Sequence, residues 1–130
     1  MSVISGSVIN TVEDLEVFKR SHNLALRIYK LTEMFPQSEK FGLISQMRRA
    51  AASIATNLIE GSHRLSSKEF RQFASISRGS VGELKYHLLL SRDLGYLPEE
   101  DHSHLRNELE EISKMLNGLI KSLSHTDTKH

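Results

Sequence analysis

The sequence contains no cysteine and no tryptophan, and only two prolines interrupt its 130 residues. The absence of cysteine excludes disulfides, thiolate metal sites and cysteine nucleophiles. No apolar run approaches the roughly 18 residues that a membrane-spanning helix needs. The N-terminal residues lack the basic and apolar regions of a signal peptide. These absences predict a soluble, cytoplasmic protein without a membrane partner.

Net charge is also nearly absent, at +1, but it is distributed unevenly. Residues 40–92 contain nine Lys and Arg against three Asp and Glu, a net +6, whereas residues 93–130 carry −4. Two interpretations are open. The basic and acidic segments neutralise each other within the fold, or the basic segment presents a surface to an anionic partner.

Four stretches of the chain show the apolar period of an amphipathic helix, and no β-like alternation competes with them. The pattern predicts helices near 12–33, 38–63, 67–95 and 99–124. The expected N-caps are Thr11, Ser38 and Ser66 or Ser67. Gly61 and Gly95 are expected at C-terminal ends.

Short connections between these helices predict an all-α, antiparallel, up-down-up-down four-helix bundle. The bundle is expected at 12–124, between a flexible N-terminal arm at 1–11 and a frayed tail at 125–130. Gly79 and Gly82 fall inside the third helix, where the apolar period continues in phase. We therefore expect one unbroken helix whose glycines allow another helix to come close, inside the subunit or between subunits. The small residues considered for this role are Gly79, Ser80, Gly82, Ala51, Ala52 and Ala55.

A polar stripe on the second helix is the most specific pattern. Antiparallel pairing about the turn places Arg49 opposite Glu83, Ser53 opposite Ser80, and Glu60 opposite Arg71. One interpretation is a partly buried network that fixes helix register or a subunit interface. The other is a groove for a ligand or partner. The predicted polar set comprises Gln46, Arg49, Ser53, Asn57, Glu60, Arg64, Ser80 and Glu83.

Basic residues on the second and third helices are candidates for RNA or DNA contact, if they converge on one surface. Phe70 and Phe73 are the aromatic residues considered for base stacking, although their helical spacing favours the core. The basic set comprises Arg48, Arg49, Arg64, Lys68, Arg71, Arg78 and Lys85.

Motifs for catalysis, cofactors and metals are not found in the sequence. It has no Gly-rich phosphate loop, no nucleophile elbow and no His-x-x-x-His pair on a helix. We therefore expect neither a cofactor nor a metal site. An enzyme that uses Arg49, Glu60 and Glu83 is the least favoured hypothesis.

The chain resembles a known family at Q-x-R-R-A-x-x-S-x-x-x-N-x-x-E-G, residues 46–61, and at Leu94-Gly95-Tyr96-Leu97. The family is the bacterial "four helix bundle proteins", whose founding members are encoded in intervening sequences of 23S rRNA genes and carry a ribosomal-protein label. A distant relative is the accessory protein of diversity-generating retroelements, a basic pentamer that binds a reverse transcriptase and nucleic acid.

The resemblance implies a homopentamer of four-helix bundles without an established enzymatic activity. It leads to the hypothesis of a non-catalytic oligomeric scaffold or adaptor that acts through a protein or nucleic-acid partner. The alternative is an RNA- or DNA-binding protein that uses the basic second and third helices. The near-neutral charge of this chain departs from the basic retroelement protein.

Overall fold

The structure, a computed structural model, describes residues 11–128. Two short 3-10 helices, Val12–Asp14 and Gln37–Glu39, precede the first two α-helices. No strand occurs within residues 11–128, as the all-α prediction requires. The four α-helices are α1 Glu16–Thr32, α2 Leu43–Ser62, α3 Ser67–Asp93 and α4 Glu99–Thr128.

The four helices form an antiparallel bundle. Each helix packs against its neighbours in sequence, and α4 closes the bundle against α1. Contacts between α2 and α3 run in opposite directions along the two helices, from Arg49–Glu83 to Ile54–Ser77. The predicted up-down-up-down arrangement is therefore present within one chain. No helix in the described part of the chain is long and apolar enough to cross a bilayer.

The core follows the apolar period of the sequence on α2 and most of α4, and only in part on α1. Ile44, Met47, Ala51, Ile54 and Leu58 of α2 are all buried. On α1 the apolar period passes through Phe18, Ala25, Ile28 and Thr32; the last two are buried and the first two only half-buried, while Val17, Ser21 and Leu24 also face the core. Ser21 fits there because its hydroxyl donates to the Val17 carbonyl at 2.7 Å, so that no polar group is left unpaired.

The predicted starts of the first two helices were wrong. Leu15, not Thr11, precedes α1, because the chain first makes the 3-10 turn Val12–Asp14 with Val12 buried. Ser38 does not cap α2, which begins after Gly42. The Glu39 carboxylate takes that role: Oε1 accepts from the Leu43 N–H at 3.2 Å, and Oε2 accepts from the Tyr96 hydroxyl at 3.0 Å.

The ends of α3 are confirmed. The Ser66 hydroxyl accepts from the Glu69 N–H at 3.1 Å, and the helix then runs unbroken to Asp93. Gly95 follows in the left-handed region, with φ of 84°, where glycine has no steric penalty. Helix α4 continues to Thr128 and so includes part of the segment predicted as a tail.

Within the described part of the chain, close helix approach occurs at Gly61. A Cβ at Gly61, which lies inside α2 and is not its C-terminal cap, would stand 2.8 Å from atoms of both Phe70 and Phe73. At Gly79 and Gly82 an added Cβ would meet no atom of another described element within 4 Å, so approach between subunits at these two glycines stays a prediction. Both of these glycines are exposed on the outside of α3.

Candidate functional site

The centre of the polar stripe is a half-buried hydroxyl and amide cluster between α2 and α3. The Ser53 and Ser80 hydroxyls lie 2.8 Å apart, and the Asn57 amide donates to the Ser53 hydroxyl at 2.9 Å. One turn away, the Ser77 hydroxyl donates to the Ile54 carbonyl at 2.8 Å. The structure thus brings Ser53 and Ser80 together as expected. These hydrogen bonds link α2 to α3, as the interpretation of a network that fixes helix register requires.

Next to this cluster the stripe becomes exposed. The Arg49 guanidinium pairs with the Glu83 carboxylate and also donates to Gln46 at 3.1 Å. The side chains of Arg49 and Glu83 are 56% and 35% exposed. The predicted partners therefore meet, but on the surface and not in a buried network.

The other end of the stripe lies at the α2–α3 turn. Arg64 stands 3.8 Å from the Glu60 carboxylate and 4.6 Å above the Phe73 ring. The predicted pairing of Glu60 with Arg71 stays a prediction. Phe70 and Phe73 are half-buried around Gly61, and the Arg64 guanidinium lies over the Phe73 ring.

The residues proposed for an enzyme do not converge. Glu60 and Arg49 lie about 16 Å apart along α2, at 1.5 Å per residue, and Glu83 pairs with Arg49. Within residues 11–128 no three acidic or histidine side chains are grouped so as to hold a metal ion.

The basic set is likewise dispersed over several surfaces. Arg48 points to α1, where it donates to the Thr32 hydroxyl and the Tyr29 carbonyl. Arg78 and Lys85 point to α4, where they bond Asn117 and Glu110. Arg64 and Lys68 belong to the α2–α3 turn, at the far end of α2 from Arg48.

Acidic α4 neutralises part of the basic segment. Lys85 holds the Glu110 carboxylate at 3.1 Å and thereby lowers the pKa of Glu110, while Arg92 reaches Glu99 at 3.2 Å. These pairs support the first interpretation of the charge pattern, in which the helices complement each other.

One groove combines cations with exposed aromatic rings. It has a volume of about 460 Å³ and lies where the α1–α2 connection meets the start of α2. We call it the Phe41 groove, because its most exposed aromatic ring is Phe41, which is 89% exposed. Its lining residues are Tyr29, Lys40, Phe41, Ile44, Ser45, Arg48 and Arg49.

Sequence reasoning named Arg48 and Arg49 but missed the rings beside them. It considered Phe70 and Phe73 for base stacking and not Phe41. Phe41 follows Lys40 and lies seven residues before Arg48, but it precedes α2, which begins at Leu43. The helical period therefore does not place Phe41 and Arg48 together, and only the fold shows that they share a groove.

A second surface feature is the outward face of α3, defined by Gly79, Gly82, Tyr86 and Leu89. These residues recur at steps of three and four, so they lie on one side of the helix. All four are exposed, and nothing in the described chain covers the two glycines. An apolar surface of this kind on a helix commonly marks an interface.

Comparison with known proteins gives a family. Residues 13–118 match the 23S rRNA-intervening sequence proteins. A crystal structure from Bacteroides thetaiotaomicron, of a protein with unknown function from the S23 ribosomal protein family, is 28% identical. The match covers 81% of this chain and 95% of that chain, with a TM-score of 0.75. No curated protein matches the sequence. Because the family match extends over most of the chain, the protein belongs to the 23S rRNA-intervening sequence protein family.

Proposed function

We propose that the protein is a non-catalytic oligomeric scaffold or adaptor that assembles as a homopentameric ring and acts through a protein or nucleic-acid partner. The observation that carries the proposal is the outward face of α3. The number five comes from the family resemblance of the sequence. Non-catalytic action agrees with the separation of Glu60 from the Arg49–Glu83 pair on α2 and α3.

The outward face of α3 lowers the stability of an isolated subunit. Each glycine inside a helix reduces stability by about 1 kcal/mol relative to alanine. Gly79 and Gly82 give no benefit within the chain, because no other element approaches them. Tyr86, 59% exposed, and Leu89, 37% exposed, leave apolar surface in water beside them. A helix of a second subunit seated against the glycines offsets both costs. Ala51, considered earlier for the same role, is instead fully buried in the core.

The test is sedimentation equilibrium of the wild type and of Gly82→Arg at micromolar concentration. We expect a wild-type assembly of five chains of 14.8 kDa. The long side chain of Gly82→Arg, placed on the outward face of α3, should dissociate it. A wild type that sediments as a single chain would end the proposal.

Gly118→Arg is the matched control. Gly118 also lies in a helix, is exposed and has no atom of the chain within 4 Å of an added Cβ. It belongs to α4 and not to the proposed interface. Because arginine has a higher helix propensity than glycine, both substitutions should gain similar helix stability, and the control should remain assembled. Equal dissociation by both substitutions would mean that the outward face of α3 is not the interface.

A further inference from the structure

The Phe41 groove contains an aromatic ring that the fold does not use. Phe41 is 89% exposed, whereas the other four phenylalanines of the sequence are buried or half-buried. A second ring, that of Tyr29, is 45% exposed in the same groove. Such rings offer flat faces on which a planar, conjugated ligand group stacks.

Little negative charge lies beside the cations of the groove. The three cations are Lys40, Arg48 and Arg49. Among the residues that the structure describes, only Arg49 has a carboxylate partner, which is Glu83. Lys40 stands 5.5 Å from the centre of the Phe41 ring. No Asp or Glu is among the lining residues of the groove. The groove therefore favours an anion.

Arg48 is held in place before any ligand arrives. Its Nε donates to the Thr32 hydroxyl at 2.9 Å, and a terminal nitrogen donates to the Tyr29 carbonyl at 3.0 Å. The guanidinium also lies 4.7 Å from the centre of the Tyr29 ring. These contacts give Arg48 a structural role, because a cation at the C-terminal end of α1 interacts favourably with the helix dipole. They also leave its remaining N–H groups for an oxyanion, with little conformational entropy to lose on binding.

We propose that the Phe41 groove binds a nucleotide unit, with the base stacked on Phe41 and the phosphate held by Arg48, Lys40 and Arg49. Stacking rings beside backbone-tracking cations are the combination that single-stranded nucleic acids require. The same chemistry fits a free nucleotide or one nucleotide within a single strand. This inference deepens the proposed scaffold function, because it names the chemistry of the partner. It rests on the proposed function for the assembly of the subunits.

The binding test uses two probes, a fluorescein-labelled oligouridylate followed by anisotropy and UMP followed by calorimetry. We expect wild-type affinity for the strand to fall between about 50 and 200 mM salt. Phe41→Ser should weaken binding about five- to hundredfold, as lost base stacking does. Lys40→Gln should reduce the salt slope by about one. Binding of UMP with the same Phe41 dependence identifies a free-nucleotide site, and binding of the strand alone identifies a single-strand site.

One matched control lies at the α2–α3 turn and a second on α4. Leu65 is fully exposed at the turn, so Leu65→Ser removes an exposed apolar side chain away from the groove. Lys121 is exposed on α4 and is not among the candidate nucleic-acid contacts, so Lys121→Gln removes a cation away from the groove. Both should bind as wild type does. The proposal is overturned if neither probe binds, or if Phe41→Ser and Leu65→Ser bind equally well. It is also overturned if Phe41→Ser changes the sedimenting mass, because a second copy of the chain would then cover the groove. A single-chain wild type that binds the strand would end the scaffold proposal and leave this site standing.

Discussion

At the scale of single residues, solvent exposure determines how much the Arg49–Glu83 ion pair contributes to the free energy of unfolding. The two side chains are 56% and 35% exposed, so water screens their attraction. Exposed ion pairs contribute about 0–1 kcal/mol, whereas removal of one partner from a buried pair costs about 3–5 kcal/mol. The first range applies to a single subunit.

A double-mutant cycle measures this pair directly. We expect Arg49→Met and Glu83→Gln to couple by about 1 kcal/mol or less in urea unfolding, because each charge is solvated when the other is removed. A coupling energy above about 2 kcal/mol would contradict the expectation. It would mean that another subunit excludes water from the pair.

At the scale of elements, helix starts depend on which group pairs with the first free N–H groups. Ser66 supplies such a group to α3, with its hydroxyl 3.1 Å from the Glu69 nitrogen. Ser38 supplies none to α2, because the 3-10 turn Gln37–Glu39 places it before Gly42. The two serines therefore look alike in the sequence but differ in the fold.

Alanine substitution at the two serines separates these roles. Ser66→Ala should lower the free energy of unfolding by about 1 kcal/mol, as loss of an N-cap typically does. Ser38→Ala, at an exposed position, should change it by less than about 0.5 kcal/mol. Urea unfolding of both variants under the same conditions provides the comparison. Equal losses would indicate that Ser38 stabilises α2 in a way that the geometry does not show.

Sequence pattern was sufficient for the number, order and direction of the helices, because each depends on local periodicity and short connections. It was insufficient for the start of α2, which depends on Glu39 being held by Tyr96 from the α3–α4 connection. It was also insufficient to tell at which glycine two helices of one chain meet. Whether Gly61 or Gly79 meets another helix depends on where α2 and α3 cross, which no local pattern records.

The candidate site could likewise be predicted from the sequence only in part. The antiparallel register was enough to pair Arg49 with Glu83 and Ser53 with Ser80. Exposure was not predictable, because it depends on how far each helix rotates within the bundle. For the same reason the exposed ring of Phe41 was missed, since an apolar residue near a helix start resembles a core residue until its neighbours are known.

At the scale of the whole molecule, His87 and Glu110 link stability to pH on the acidic side of neutrality. Burial lowers the pKa of His87 below its usual 6.5; Glu83 raises it again in part, and Arg49 lowers it further. The unfolded chain therefore binds this proton more tightly than the folded chain. The contribution of neutral His87 is complete above pH 6.5 and is lost as the pH falls through that value toward the folded pKa.

Glu110 acts in a second, more acidic window. The hydrogen bond and charge of Lys85 lower the pKa of the Glu110 carboxylate below its usual 4.5. Its contribution to stability is present above pH 4.5 and is lost as the pH falls below that value toward the folded pKa. The two windows do not coincide, so each can be assigned with its own variant.

Denaturant unfolding across the range from about pH 8 to pH 3 tests both windows. We expect stability to fall first near pH 6.5, and His87→Gln should weaken this first decline because glutamine does not titrate. Lys85→Met should reduce the second decline below pH 4.5, since it returns the pKa of Glu110 toward its usual value. Identical profiles for the wild type and His87→Gln would show that the folded chain binds the His87 proton as tightly as the unfolded chain does.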